Sequence, residues 1–124
     1  MPAPGKKILI IDDEIDLAKI AKERLEASGY TVVWASNGYE GLKMAAKEGP
    51  DLILLDILMP KKDGFETLSA LKADMLTWGI PVIMLSVKTE SDMLFKAREL
   101  GAADYFIKTG DWKDLIKYIE RYIA

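Results

Sequence analysis

Five short runs of successive apolar residues, at 8–11, 31–35, 52–55, 82–85 and 105–107, recur along the 124-residue chain with amphipathic stretches between them. A strand with one wet face alternates apolar and polar residues. Runs that are apolar at successive positions instead predict strands covered on both faces, as in a parallel sheet between two helical layers. The intervening stretches carry helical spacing. It is clearest near the C-terminus, where Trp112, Leu115, Ile116, Ile119 and Ile123 recur at i, i+3, i+4, i+7 and i+11. Leu17, Ala18, Ala21 and Leu25 mark a first helix, Leu42, Ala45 and Ala46 a second, Phe65, Leu68 and Leu71 a third, and Met93, Ala97 and Leu100 a fourth. Gly29, Gly49, Gly79 and Gly101 each follow a helical segment, where a left-handed cap is expected, and Asp111 is placed to cap the last helix.

Strand and helix therefore alternate five times. With right-handed crossovers this predicts an α/β fold, a doubly wound (βα)5 flavodoxin-like sandwich whose parallel five-stranded sheet runs in the order 2-1-3-4-5. The length suits one domain over residues 1–124, with 1–5 frayed and no repeat, low-complexity tract or linker. Even the run 80–85, counting Pro81, is far short of the roughly 18 residues of a membrane helix. The apolar residues after Lys6 and Lys7 are too few for a secretory signal, which points to the cytosol. Seventeen Lys and Arg against twenty Asp and Glu give a net charge of −3, against the basic surface that direct nucleic-acid binding relies on. The chain has neither Cys nor His. That excludes disulfides, thiolate nucleophiles, imidazole bases and the usual zinc sites, and leaves oxygen as the ligand for any metal.

In a sheet of this order the site lies beyond the carboxyl ends of the strands. Strand 1 ends at Asp12-Asp13-Glu14, strand 3 at Asp56, strand 4 at Ser86 and strand 5 at Lys108. Singly, the Asp and Ser residues read as helix caps and Lys108 as a solvated charge. Together, three carboxylates in one cleft raise each other's pKa, an arrangement that makes sense around a hard divalent cation, with Mg²⁺ the best fit. A cation-bound carboxylate cluster beside a hydroxyl and an ammonium suits phosphoryl transfer, with an Asp oxygen as nucleophile and no base required.

These residues carry a resemblance. The segments Ile10-Ile11-Asp12-Asp13-Glu14, Asp51-Leu52-Ile53-Leu54-Leu55-Asp56-Ile57-Leu58-Met59-Pro60 with Asp63-Gly64, Pro81-Val82-Ile83-Met84-Leu85-Ser86, and Gly101-Ala102-Ala103-Asp104-Tyr105 leading to Lys108 resemble those of a response-regulator receiver domain of two-component signalling. The likeness covers essentially the whole chain. It implies that Asp56 is the phosphoacceptor, that Asp13 binds Mg²⁺ directly and Asp12 largely through water, and that the Leu58 carbonyl is a further ligand. It also implies that Ser86 and Lys108 contact the phosphoryl group and that Tyr105 is an aromatic switch. The donor would be a phosphohistidine on a histidine kinase or histidine phosphotransfer protein. The surface of helix 4, strand 5 and helix 5 would signal a downstream protein or a linked effector domain. Such a chain catalyses its own phosphorylation and dephosphorylation without being a conventional enzyme.

One departure stands out: Thr109 and Gly110 follow Lys108 where the family usually has Pro. A cis bond before a non-proline residue costs about 2.5–4 kcal/mol, so a trans Lys108-Thr109 bond and a reshaped loop are expected. Leu58 and Lys88 border, by resemblance, the path of the hydrolytic water; Leu58 cannot orient one, so slow autodephosphorylation is expected. Trp112 reads as core, Trp78 as local packing, Met59-Pro60 as loop geometry, and Lys61, Lys62 and Lys88 as solvated charge. Competing readings are a flavin carrier, which would need a Ser/Thr/Gly-rich loop after strand 1, an Asp-nucleophile phosphatase, which would place an Asp-x-Asp pattern there, and a receiver-like scaffold that takes no phosphate.

Overall fold

The apolar runs become five parallel strands in the order β2-β1-β3-β4-β5. The computed structural model describes residues 5–59, 63–87, 90–108 and 111–123. The strands are β1 (Lys7–Ile11), β2 (Thr31–Ala35), β3 (Leu52–Asp56), β4 (Val82–Ser86) and β5 (Asp104–Ile107). The helices between and after them are α1 (Ile15–Ala27), α2 (Gly38–Glu48), α3 (Gly64–Ala73), α4 (Ser91–Glu99) and α5 (Trp112–Ile123). Two of the polar groups expected just past the strands are their last residues, Asp56 and Ser86. The expectations for residues 1–4, Pro60, Lys61, Lys62, Lys88 and the Lys108-Thr109 bond lie outside the described residues.

Alternate side chains of the central strands enter opposite cores, which is why both parities are apolar. Ile8, Ile10, Leu52, Leu54, Ile83 and Leu85 meet Ala18, Ala21 and Leu25 of α1 and Leu115, Ile119 and Ile123 of α5. Leu9, Ile11, Ile53, Leu55, Val82 and Met84 meet Ala45 of α2, Leu68 and Leu71 of α3 and Ala97 of α4. Burying each large aliphatic contributes roughly 1.5–3 kcal/mol, so the two cores together fix the strand register. Trp112 packs against the α1–α5 side as expected, and Asp111 caps α5 by accepting from the Lys113 N–H at 2.9 Å.

Three local expectations are corrected. The inward line of α2 is Gly38, Gly41 and Ala45, while Ala46 faces solvent. Small residues let this helix approach β1 so closely that a Cβ on Gly41 would meet Ile11 Cγ1 at 2.8 Å. Gly29, Gly49 and Gly101 take positive φ, but Gly79 does not. Helix α3 stops at Ala73 instead, where Asp74 turns extended and its carboxylate accepts from Leu76 N at 2.8 Å. Thr77 Oγ1 then satisfies the Leu71 carbonyl, which a left-handed cap would have served, and Lys72 Nζ ties down the turn that follows through the Trp78 and Ile80 carbonyls. In this turn Thr77 takes the inward position, and Trp78, expected to pack locally, is 63% exposed.

Candidate functional site

Parallel pairing carries the ends of β1, β3, β4 and β5 to one edge of the sheet. Asp12 continues the β1 ladder, its N–H donating to the Ala35 carbonyl at 3.1 Å. Its Oδ1 accepts from Glu14 N at 2.9 Å, and its own carbonyl accepts from Trp34 Nε1 at 2.8 Å. On the other side of the cleft, Ile57 N donates to the Leu85 carbonyl at 3.1 Å and Gly64 N to the Ile57 carbonyl at 2.7 Å. Asp63 and Glu66 close a capping box at the start of α3. The first turn of α3 is thereby held against the backbone of Asp56 and Ile57.

Asp12, Asp13 and Asp56 each offer a carboxylate oxygen, and these three atoms lie within 4.8 Å of one another. Lys108 reaches into the cluster. Its N–H donates to the Ser86 carbonyl at 2.7 Å, and its Nζ lies 2.8 Å from Asp12 Oδ2, 3.3 Å from Asp56 Oδ1 and 3.3 Å from Glu14 Oε1. The Lys108 side chain is only 5% exposed, so the reading of it as a solvated charge fails. A buried ammonium needs anionic partners, and the strand ends supply them. Ser86 is buried at the end of β4, one residue beyond the Leu85 that pairs with Asp56. Tyr105 is half-buried against the α2–α4 side of the core, and the Leu58 side chain is 56% exposed.

Three carboxylates and one ammonium leave net negative charge in a cleft largely out of water. Burial, the stronger cause, and then the neighbouring Asp12 push Asp56 up from 3.8 to about 7, against the lowering by Lys108. Burial alone would lower the Lys108 pKa, but the bond to Asp12 and the charge of Asp56 outweigh it and hold it above its ordinary value. Asp13 Oδ1 is buried and has no hydrogen-bond partner among the described residues. An all-oxygen donor set with an unsatisfied buried carboxylate oxygen fits a hard divalent cation such as Mg²⁺.

The raised Asp56 pKa makes a prediction for the metal-free protein. Between about pH 4 and 7 the folded chain binds the Asp56 proton more tightly than the unfolded chain, so stability falls as pH rises through that window. Asp56→Asn removes this penalty. In chelator near about pH 8 it is expected to raise Tm by about 5 °C or more, with the gain fading below about pH 4 in a thermal-melt series.

Two contacts escaped the sequence. Nothing in the pattern of β2 marks Trp34 as a donor to the Asp12 backbone. Glu14 belongs visibly to the acidic run, but its reach to a lysine 94 residues away appears only in the folded chain.

A family model of the response regulator receiver domain matches residues 8–120. The alkaline phosphatase synthesis transcriptional regulatory protein PhoP of Bacillus subtilis (strain 168) is 45% identical over 104 residues, which are 84% of this chain and 42% of that protein. The sporulation initiation phosphotransferase F of the same organism is 35% identical over 119 residues, 96% of this chain and 94% of that one. The solved structure of the Vibrio cholerae chemotaxis protein CheY4, crystallised at low pH, superposes with a TM-score of 0.91 at 29% identity, covering 97% of this chain and 99% of that one. The chain spans less than half the length of the transcriptional regulators among these relatives.

Proposed function

We propose, from the premise that this chain belongs to the response regulator receiver domain family, that Asp56 accepts a phosphoryl group from a phosphohistidine in a Mg²⁺-dependent step. The observation that carries this reading is the junction of Asp12, Asp13 and Asp56 with the buried Lys108 ammonium at the carboxyl edge of the sheet. Asp13 and Asp56 with the Leu58 carbonyl would hold Mg²⁺, and Asp12 would act largely through water. When bound, Mg²⁺ supplies neutralisation of the crowded carboxylates and of the phosphoryl oxygens.

An ionised Asp56 oxygen attacks phosphorus, the bond from phosphorus to the donor imidazole nitrogen breaks, and the electron pair leaves with the imidazole. No proton has to be taken from the nucleophile, in keeping with a chain that has no His of its own. Lys108 already lies 3.3 Å from Asp56 Oδ1, where its charge balances negative charge growing on the phosphoryl oxygens. Ser86 donates its hydroxyl to one of those oxygens. Tyr105 follows Ser86 inward, and the surface of α4, β5 and α5 changes for a downstream protein or a linked effector domain. This reading takes residues 1–124 as one receiver unit working in the cytosol, with no direct contact to nucleic acid or membrane.

The test is transfer of label from a phosphohistidine-bearing phosphotransfer protein. Label is expected on this chain with Mg²⁺ and not in chelator; label that ignores the metal, or no label with it, contradicts the reading. A scaffold that takes no phosphate gives the second result. The flavin-carrier reading suits the site poorly, since a flavin phosphate would face Asp12 and Asp13.

The exposed Leu58 makes a further prediction. An apolar side chain there orients no water for hydrolysis of the acyl phosphate. Leu58→Asn adds one hydrogen-bonding group, so the phosphorylated chain is expected to decay about fivefold faster in a mass-resolved time course. An unchanged lifetime would contradict this role.

A further inference from the structure

The geometry points to Glu14 as a positioning residue for Lys108, an inference that rests on Asp56 being the phosphoacceptor. Glu14 occupies the N-cap of α1 in an extended conformation, yet its side chain makes no capping hydrogen bond. That position favours Ser, Thr, Asp or Asn, whose short side chains reach back to the helix N–H groups. The Glu14 carboxylate leaves the helix instead and turns toward the site, where its Oε1 lies 3.3 Å from Lys108 Nζ.

An ammonium has three donors. Here three carboxylates surround it: Asp12 at 2.8 Å, Glu14 at 3.3 Å and Asp56 at 3.3 Å. Asp12 and Asp56 are buried parts of the acidic cluster, whereas the Glu14 side chain is 53% exposed and lies outside it. Glu14 thus tethers the ammonium from the solvent side. With Asp12 it fixes Lys108 at two points and leaves the third donor directed at Asp56. The backbone of Glu14 is itself fixed, its N–H held by Asp12 Oδ1 at 2.9 Å and its carbonyl by Ala18 N at 3.0 Å. The need for such a tether follows from the sequence after Lys108, where Thr109 and Gly110 supply none of the backbone restraint that a proline would impose.

The experiment compares the chain with Glu14→Gln, which keeps the size of the side chain and removes its charge. Labelling by a small acyl-phosphate donor with Mg²⁺ is followed by intact mass, and the Lys108 ammonium resonance by NMR in metal-free protein. In Glu14→Gln the maximal labelling rate is expected to fall about three- to fivefold, the scale of one partly exposed ion pair, with half-saturation by the donor and by Mg²⁺ unchanged. The Lys108 resonance is expected to move, and adding Glu14→Gln to Lys108→Met is expected to cost no more than Lys108→Met alone. An unmoved resonance with an unchanged rate, or an equal loss in the Lys108→Met background, overturns the assignment of Glu14 while Asp56 still takes label. A parent chain that takes no label with Mg²⁺ overturns both the assignment and the reading it rests on.

Discussion

Gly64→Ala is expected to destabilise the protein by about 3 kcal/mol or more, lowering Tm by about 10 °C. The added methyl would press on the Asp56 carbonyl oxygen, with Ile57 Cα at 2.6 Å and the Asp56 carbonyl carbon at 3.0 Å. All three are backbone atoms at the end of a central strand, so no side chain can rotate to make room. Either α3 moves off the sheet or Asp56 moves out of the cluster. Loss of stability should therefore come with loss of labelling even below the new Tm. Gly79→Ala is the control, because a Cβ there meets nothing within 4 Å; its Tm should hold. A Gly64→Ala melt that matches the parent would show that α3 does not press on Asp56.

Lys108→Met carries the second large effect, and in metal-free protein its sign is opposite to that of Asp56→Asn. Both Asp12 and Asp56 are almost fully buried, at 2% and 4% exposure, and Lys108 touches both. Removing one partner of a buried ionic group leaves charge without compensation, a loss of about 3 kcal/mol or more at neutral pH in chelator. Mg²⁺ should restore part of it, since divalent charge can replace the missing ammonium, and Asp56→Asn in the same chain should restore part as well. Labelling should fall about 100-fold or more, as when a preorganised cationic contact to a developing oxyanion is lost. Melts with and without Mg²⁺ on the single and double variants check the stability effects. A Lys108→Met chain as stable as the parent in chelator would contradict the account of the cluster.

The fold was legible because its strongest signal is one that few architectures produce. Runs such as Leu52-Ile53-Leu54-Leu55 are apolar on both faces, and the structure buries them in two separate cores. The acidic strand ends were legible for a related reason: once the strand order is known, Asp12, Asp13, Asp56 and Lys108 have to converge. What pattern reading missed lies in contacts that depend on shape. Ala46 has the spacing of a core residue, yet the small residues Gly38 and Gly41 turn the inward face of α2 by part of a turn. Gly79 follows a helix, but the Thr77 hydroxyl satisfies the Leu71 carbonyl, one of those a left-handed cap would have served. Glu14 reads as one more member of the acidic run, and its contact with Lys108 Nζ, 94 residues away, appears only in the folded chain.

The most direct measurement is the intact mass of the chain after incubation with a small acyl-phosphate donor, with and without Mg²⁺, beside Asp56→Asn. One phosphoryl increment is expected on the parent chain with Mg²⁺, none in chelator and none on Asp56→Asn under either condition. An increment that persists in Asp56→Asn, or a parent chain that gains none with Mg²⁺, would contradict the account.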